Sequence, residues 1–235
     1  MLLGFAVLAT LAWSLRRDRI GQRFPEPGEF TEQKKLIEQI LIPIYVSFLL
    51  PVFCLCFGTA SIAGDRDERT LAYLLVSPLP RPLIYTAKYC SALLLVLLWT
   101  LGGLAVLCSV AGEPGRDAFS ALWSAVLLSS LAYVGLFHLF SVFFRRATIV
   151  ALAYALFLET FMGNMPGIAK RLAVSFFTEC LIFDEGSRFG FGPSGHHDAA
   201  LYLPVSAGTA QTVLCLMAGS TFLLGVLLFA RREYD

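Results

Sequence analysis

Charge is the scarcest ingredient of this sequence. Asp, Glu, Lys and Arg make up 15% of its 235 residues, whereas a soluble domain needs roughly a quarter to cover its surface. That deficit excludes a water-facing globule. The charges nearly cancel, at a net +1, and no basic run is long enough to hold a phosphate backbone, which excludes nucleic acid as a partner. No G-x-x-x-x-G-K-[ST] loop occurs. The chain therefore lacks the glycine cradle and lysine that would let it hydrolyse a nucleoside triphosphate itself. It has no H-E-x-x-H pair and no G-x-S-x-G elbow, which leaves both the zinc-hydrolase and the serine-hydrolase signatures without a footing. A disulfide framework is missing too. Cys54, Cys56, Cys90, Cys108 and Cys215 lie inside apolar runs, where cysteine behaves as a small hydrophobe. Only Cys180 falls in an extramembrane stretch, with no evident partner there.

Apolar residues are abundant instead, at 57%, with a mean hydropathy of +0.72. A bilayer core needs about 20 mostly apolar residues per helical crossing, and lipid leaves no partner for unpaired backbone groups, which selects helices. Six runs meet this description, at about residues 1–15, 41–62, 89–111, 119–144, 148–162 and 211–230. The first is short and begins at Met1 with no basic lead-in, unlike a secretory signal peptide. A missing segment ahead of Met1 would account for both features. Pro43 and Pro51 are expected to kink the second run, which membrane helices tolerate. A connection of about residues 163–208 precedes the sixth run.

Basic residues in short loops set orientation. The loop at 64–88, the Arg145–Arg146 turn and the C-terminus hold Arg66, Arg69, Arg81, Lys88, Arg145, Arg146, Arg231 and Arg232. Their density places these three on the cytoplasmic side. The 16–35 loop is also rich in cations, but acidic residues are interspersed among them.

The most informative stretch reads GDRDERTLAYLLVSPLPRPLIYTAK, from Gly64 to Lys88. Asp65, Asp67 and Glu68 crowd its start, as suits a helix N-terminus. Leu71, Leu74 and Leu75 follow at i, i+3 and i+4 and make one apolar stripe. Pro78, Pro80 and Pro82 forbid continuation. The pattern predicts a short amphipathic helix over 64–77. Arg81, Tyr85 and Lys88, at i, i+4 and i+7, share one face as headgroup-level anchors at the start of the third span. Two readings stand for the short helix: one lying on lipid, or one fitting the groove of a soluble partner and passing its movement to both flanking spans.

This stretch resembles the signature of the ABC type 2 permeases, the membrane subunits of a large class of bacterial ABC exporters. The matching residues are Asp67-Glu68, Thr70-Leu71, Leu74-Leu75, Ser77 followed by Pro78, Pro80-Arg81 and Lys88. Arg69 stands where the family often has glycine. The resemblance implies that the 64–77 helix is a coupling helix, with Asp67, Glu68, Arg69, Thr70, Leu71, Leu74, Leu75, Ser77 and Pro78 docking on a separate ATPase subunit. That partner would bind the ATP and Mg, and this chain would carry no cofactor. The resemblance further implies pairing with a second copy or a related permease, in a bacterial inner membrane with the C-terminus cytoplasmic.

In the long connection, Ala169, Leu172, Ala173, Phe176, Phe177, Cys180 and Leu181 form an apolar stripe, with Lys170, Arg171 and Glu179 off it. That suits an interfacial or re-entrant helix. The resemblance implies an outer gate there, carried by Leu172, Phe176, Phe177 and Leu181. Gly190, Gly192, Pro193 and Gly195 read as a loop. Adjacent His196 and His197, followed by Asp198, lack the i, i+4 spacing of helical zinc ligands and read as surface.

Two ionisable residues fall inside spans, His138 in the fourth and Glu159 in the fifth. Such residues are costly in lipid and are functional candidates by default. The bland alternatives are an interhelical histidine with its hydrogen bonds met, and a hydrogen-bonded carboxyl near a span end. The sequence thus predicts an all-α, polytopic membrane protein of about six spans, with a coupling helix between the second and third and a re-entrant or interfacial helix before the sixth. Its expected role is the permease subunit of an exporter. The alternatives are an intramembrane enzyme using His138 and Glu159, or a non-transporting assembly scaffold.

Overall fold

A computed structural model describes residues 37–68, 70, 79–110, 113–162, 170–171, 173–186 and 205–231. These residues are helical nearly throughout, and no strand occurs among them. The first helix, α1, runs unbroken through Ile37–Leu49, Leu50–Thr59, Ala60–Gly64 and Asp65–Asp67. Its first and third pieces have wide, π-type turns, and the change to regular α-helix falls at Leu50, beside Pro51. Proline has no N–H for the regular ladder. The strain expected at Pro51 is therefore taken up where the helix changes type.

Next come α2 (Arg81–Val110) and α3 (Glu113–Phe143). Then α4 (Ala147–Tyr154) continues as wide turns through Ala155–Met162. The last two are α5 (Val174–Gly186) and α6 (Ala207–Arg231). Among the described residues, four helices are long and apolar enough to cross a bilayer: α1 over Ile44–Asp67, α2, α3 from Gly115, and α6. They match the second, third, fourth and sixth predicted spans. The fifth corresponds to α4, which is apolar but shorter. The first predicted span lies outside the described residues.

Three boundaries differ from expectation. α2 and α3 begin at Arg81 and Glu113 rather than near residues 89 and 119. Pro82, taken as a break, and Pro114 sit in first turns, where an N–H would have no intrahelical acceptor anyway. The Pro80 carbonyl starts α2 by accepting the amides of Leu83 at 2.9 Å and Ile84 at 3.3 Å. The third correction concerns Gly64. No new helix starts there, because α1 passes straight through it to Asp67. Asp65, Asp67 and Glu68 thus mark the C-terminal end of a long helix, where the dipole disfavours anions and cations must be supplied from elsewhere.

α3 is the central post. In its apolar window 61% of residues are buried, against 22% in α2 and in α6. The outward faces of those two carry large exposed apolar side chains, among them Leu94, Leu98, Leu216 and Leu223. An apolar belt of this kind suits lipid and not water. Inside, polar groups link helices: Tyr45 donates to the Thr100 carbonyl, and the Thr100 and Ser130 hydroxyls meet at 3.3 Å.

α5 departs from its predicted one-sided stripe. Val174, Ser175, Phe176, Thr178, Cys180, Leu181 and Ile182 are all buried, so the helix is enclosed between α3 and α6 instead of resting on a surface. Lys170, read as off the stripe, is buried as well, with its ammonium 5.2 Å from the Phe176 ring centroid. An ammonium held over an aromatic face makes that position tolerable.

Candidate functional site

Of the predicted docking residues, Asp67, Glu68 and Thr70 lie at the end of α1. Beyond Asp67 the next described residues still bond back to the end of α1. The Glu68 amide donates to Gly64 O at 2.9 Å, and Thr70 donates to Asp65 O twice, from its amide at 2.9 Å and its hydroxyl at 3.1 Å. These bonds satisfy carbonyls that the ending helix leaves open. Asp67, Glu68 and Thr70 are exposed. Arg69, Leu71, Leu74, Leu75, Ser77 and Pro78 lie outside the described residues.

Two charged side chains fasten this exit. The Asp65 carboxylate forms an ion pair with Lys88 Nζ at 2.5 Å, which ties the end of α1 to the first turns of α2. The Arg66 guanidinium reaches the other way. It donates to the backbone carbonyls of Ser141 at 3.3 Å and of Phe144 and Arg145 at 3.0 Å each. Those carbonyls are the open acceptors at the C-terminus of α3, where the helix dipole favours a cation. Sequence reading missed this role for Arg66. Its partners lie 75 to 79 residues away, and no local pattern marks them.

Of the three predicted anchors, Arg81 is exposed and Lys88 makes the ion pair, but Tyr85 is fully buried. It faces the bundle and not the headgroups. Its ring centroid lies 4.7 Å from that of His138 and 5.8 to 5.9 Å from those of Phe229 and Phe222 on α6. A methyl group at Gly225 of α6 would collide with the Tyr85 hydroxyl, and one at Gly135 of α3 would collide with Thr221 of α6. Glycine therefore lets α6 close on both neighbours, the usual device for tight helix packing in lipid.

His138 lies one layer deeper and is fully buried. Its Nδ1 is 2.8 Å from Ser61 Oγ and 3.4 Å from Gly58 O on α1, and the Tyr89 ring flanks it at 5.5 Å. Ser141 also donates to Gly58 O, at 3.2 Å. The histidine is thus a polar pin between α1 and α3, beneath the Asp65–Lys88 pair.

Glu159 belongs to a different cluster. It is 5% exposed. One oxygen accepts from Tyr154 at 3.2 Å and from the Val174 amide at 3.0 Å, and the other from the Ser175 amide at 2.9 Å. Val174 and Ser175 open α5, so their amides have no acceptor within their own helix. The carboxylate caps that helix from outside it. His138 and Glu159 share no partner among the described residues, whereas the intramembrane-enzyme reading needs them to act together. Nor do the described residues hold three His, Cys, Asp or Glu side chains grouped to bind a metal. His196 and His197 lie outside them. Phe176, Phe177 and Leu181 are buried in the bundle with α5, and Leu172 lies outside the described residues.

Crossing helices with an apolar outer belt, polar pins inside and a charged fastening at one end define a polytopic helical membrane protein. The match with known families makes the class specific. The model of the ABC-2 family transporter protein matches residues 6–233. The chain belongs to this family and is a membrane permease component of an ABC transporter. No curated protein matches it.

Proposed function

We propose that this chain is the permease subunit of an exporter, energised by a separate ATP-hydrolysing subunit that docks on the segment between α1 and α2. The observation that carries this reading is the double fastening of that segment's base. Asp65 holds α2 through Lys88, and Arg66 holds the end of α3. A push on the intervening residues would reach three long helices at once, with Tyr85 passing it on to α6 through the Gly225 notch. Asp67, Glu68 and Thr70 are exposed at the base, as docking residues must be. Leu71, Leu74 and Leu75 would supply the apolar stripe for the partner's groove. ATP and Mg would be bound by that partner. The pathway would be completed by a second copy or a related permease in a bacterial inner membrane, with the fastened end and the C-terminus facing the cytoplasm.

The test is co-purification in mild detergent of the tagged chain with the P-loop ATPase encoded nearest its gene. Changing Leu71, Leu74 and Leu75 together to Asp should release the ATPase while the permease remains folded in the membrane. Full retention of the ATPase by that variant would refute docking on this segment.

A further inference from the structure

We infer that Glu159 is a positioning residue for transport: its carboxylate is the latch that seats α5 in the bundle, and α5 comes away as a unit when the latch is broken. The latch is read from geometry alone, while its consequence for transport rests on the permease reading above.

The geometry is mutual. A carboxylate at 5% exposure needs donors on both oxygens, and a helix beginning inside the bundle needs acceptors for its first amides. Val174, Ser175 and Tyr154 supply the first need and Glu159 the second. An anion at the N-terminus of α5 also complements its dipole. The stretch of α4 that presents Glu159 is the wide-turned one, Ala155–Met162. Departures from regular helix of this kind recur at functional positions.

α5 itself is suited to moving as one piece. Its 13 residues make a helix of marginal stability in isolation, so its position depends on what surrounds it. It is enclosed by α3 and α6, and it brings Ser175 and Thr178 into the buried interior along with its apolar side chains. Withdrawing it would open the space between those two helices at the end of α4 away from Arg146. Segments that move in a functional cycle are drawn from those whose local opening costs least.

The helix carries its own reporter. Cys180 is a free thiol, 2% exposed, on α5, and burial holds it above the ordinary cysteine range. Cys54 and Cys108 are buried in α1 and α2, and Cys56, Cys90 and Cys215 are exposed. In a full chain with the three exposed cysteines changed to Ala, a membrane-impermeant maleimide would be applied to both faces of the membrane. With Glu159 in place, Cys180 should stay unlabelled. In Glu159→Ala its labelling should rise about tenfold or more, the factor expected when charge-assisted hydrogen bonds are removed from a local-opening equilibrium. Cys54 and Cys108 should stay protected. Glu159→Gln keeps one acceptor oxygen and should fall between; it carries the test if the Ala variant does not accumulate. Unchanged labelling of Cys180 in both variants would overturn the latch. So would simultaneous labelling of all three cysteines, which would make Glu159 a residue of the whole fold. Failure of the ATPase to co-purify would count against the proposed function and leave the Cys180 result standing.

Discussion

The two ends of the bundle solve the same electrostatic problem with opposite charges. At one end the cation Arg66 donates to open carbonyls at the C-terminus of α3. At the other the anion Glu159 accepts from open amides at the N-terminus of α5. Each charge is of the sign the helix dipole favours. The ends differ in their wetness. Arg66 sits beside exposed Asp67 and Glu68 and beside an ion pair whose side chains are 29% and 21% accessible, so water screens part of the electrostatics there. Glu159 is nearly dry, and nothing replaces its contacts once they are lost. A wet fastening can be regrouped at little cost when a partner pushes on it. A dry latch is either made or broken.

That contrast orders the expected effects. The largest belongs to Glu159→Ala, which strands two backbone amides in the interior. We expect a loss of about 2–4 kcal/mol, read as a lower melting temperature in detergent, with Glu159→Gln recovering part of it. Next is Gly225→Ala, which drives a methyl group into Tyr85. Overpacking of this kind costs about 1–3 kcal/mol. Pairing it with Tyr85→Leu should cost less than the two single changes summed, a coupling that a double-mutant cycle would detect. Arg66→Ala should cost less again, about 1–2 kcal/mol, because water can take over the α3 carbonyls. The smallest stability effect belongs to the Asp65–Lys88 pair. Asp65→Asn, Lys88→Gln and the double variant should show a coupling below about 1 kcal/mol, while ATPase capture falls by a larger factor than stability alone would give. Equal losses in capture and stability would remove the distinction between fastening and fold.

How much of this was legible beforehand depended on whether a feature is local. Apolar length placed α2, α3 and α6, because a crossing helix must be about that long and that apolar. Pro82 misled the α2 boundary, since proline reads as a stop in a helix interior but is welcome in a first turn. Tyr85 shows a deeper limit. Its spacing with Arg81 and Lys88 placed it correctly on their helix, yet periodicity separates buried from exposed faces only where the outside is polar. Lipid is as apolar as the core, so an interior tyrosine and a headgroup anchor look alike in sequence. The enclosure of α5 was hidden for the same reason. Arg66 and Glu159 stood out as charges, Glu159 even as a candidate site, but apart from the Tyr154 hydroxyl their partners are backbone groups 15 to 79 residues away. Backbone groups carry no signature in the sequence, so no pattern of residue types could have found those pairs.

On the proposed function the two ends do separate work, one receiving the ATPase and the other seating α5. The amount of ATPase recovered with Arg66→Ala and with Glu159→Ala, at equal yields of folded permease, distinguishes them. Recovery should fall with Arg66→Ala and stay native with Glu159→Ala. Undiminished recovery with Arg66→Ala, or equal losses in both, would mean that the ends do not work separately.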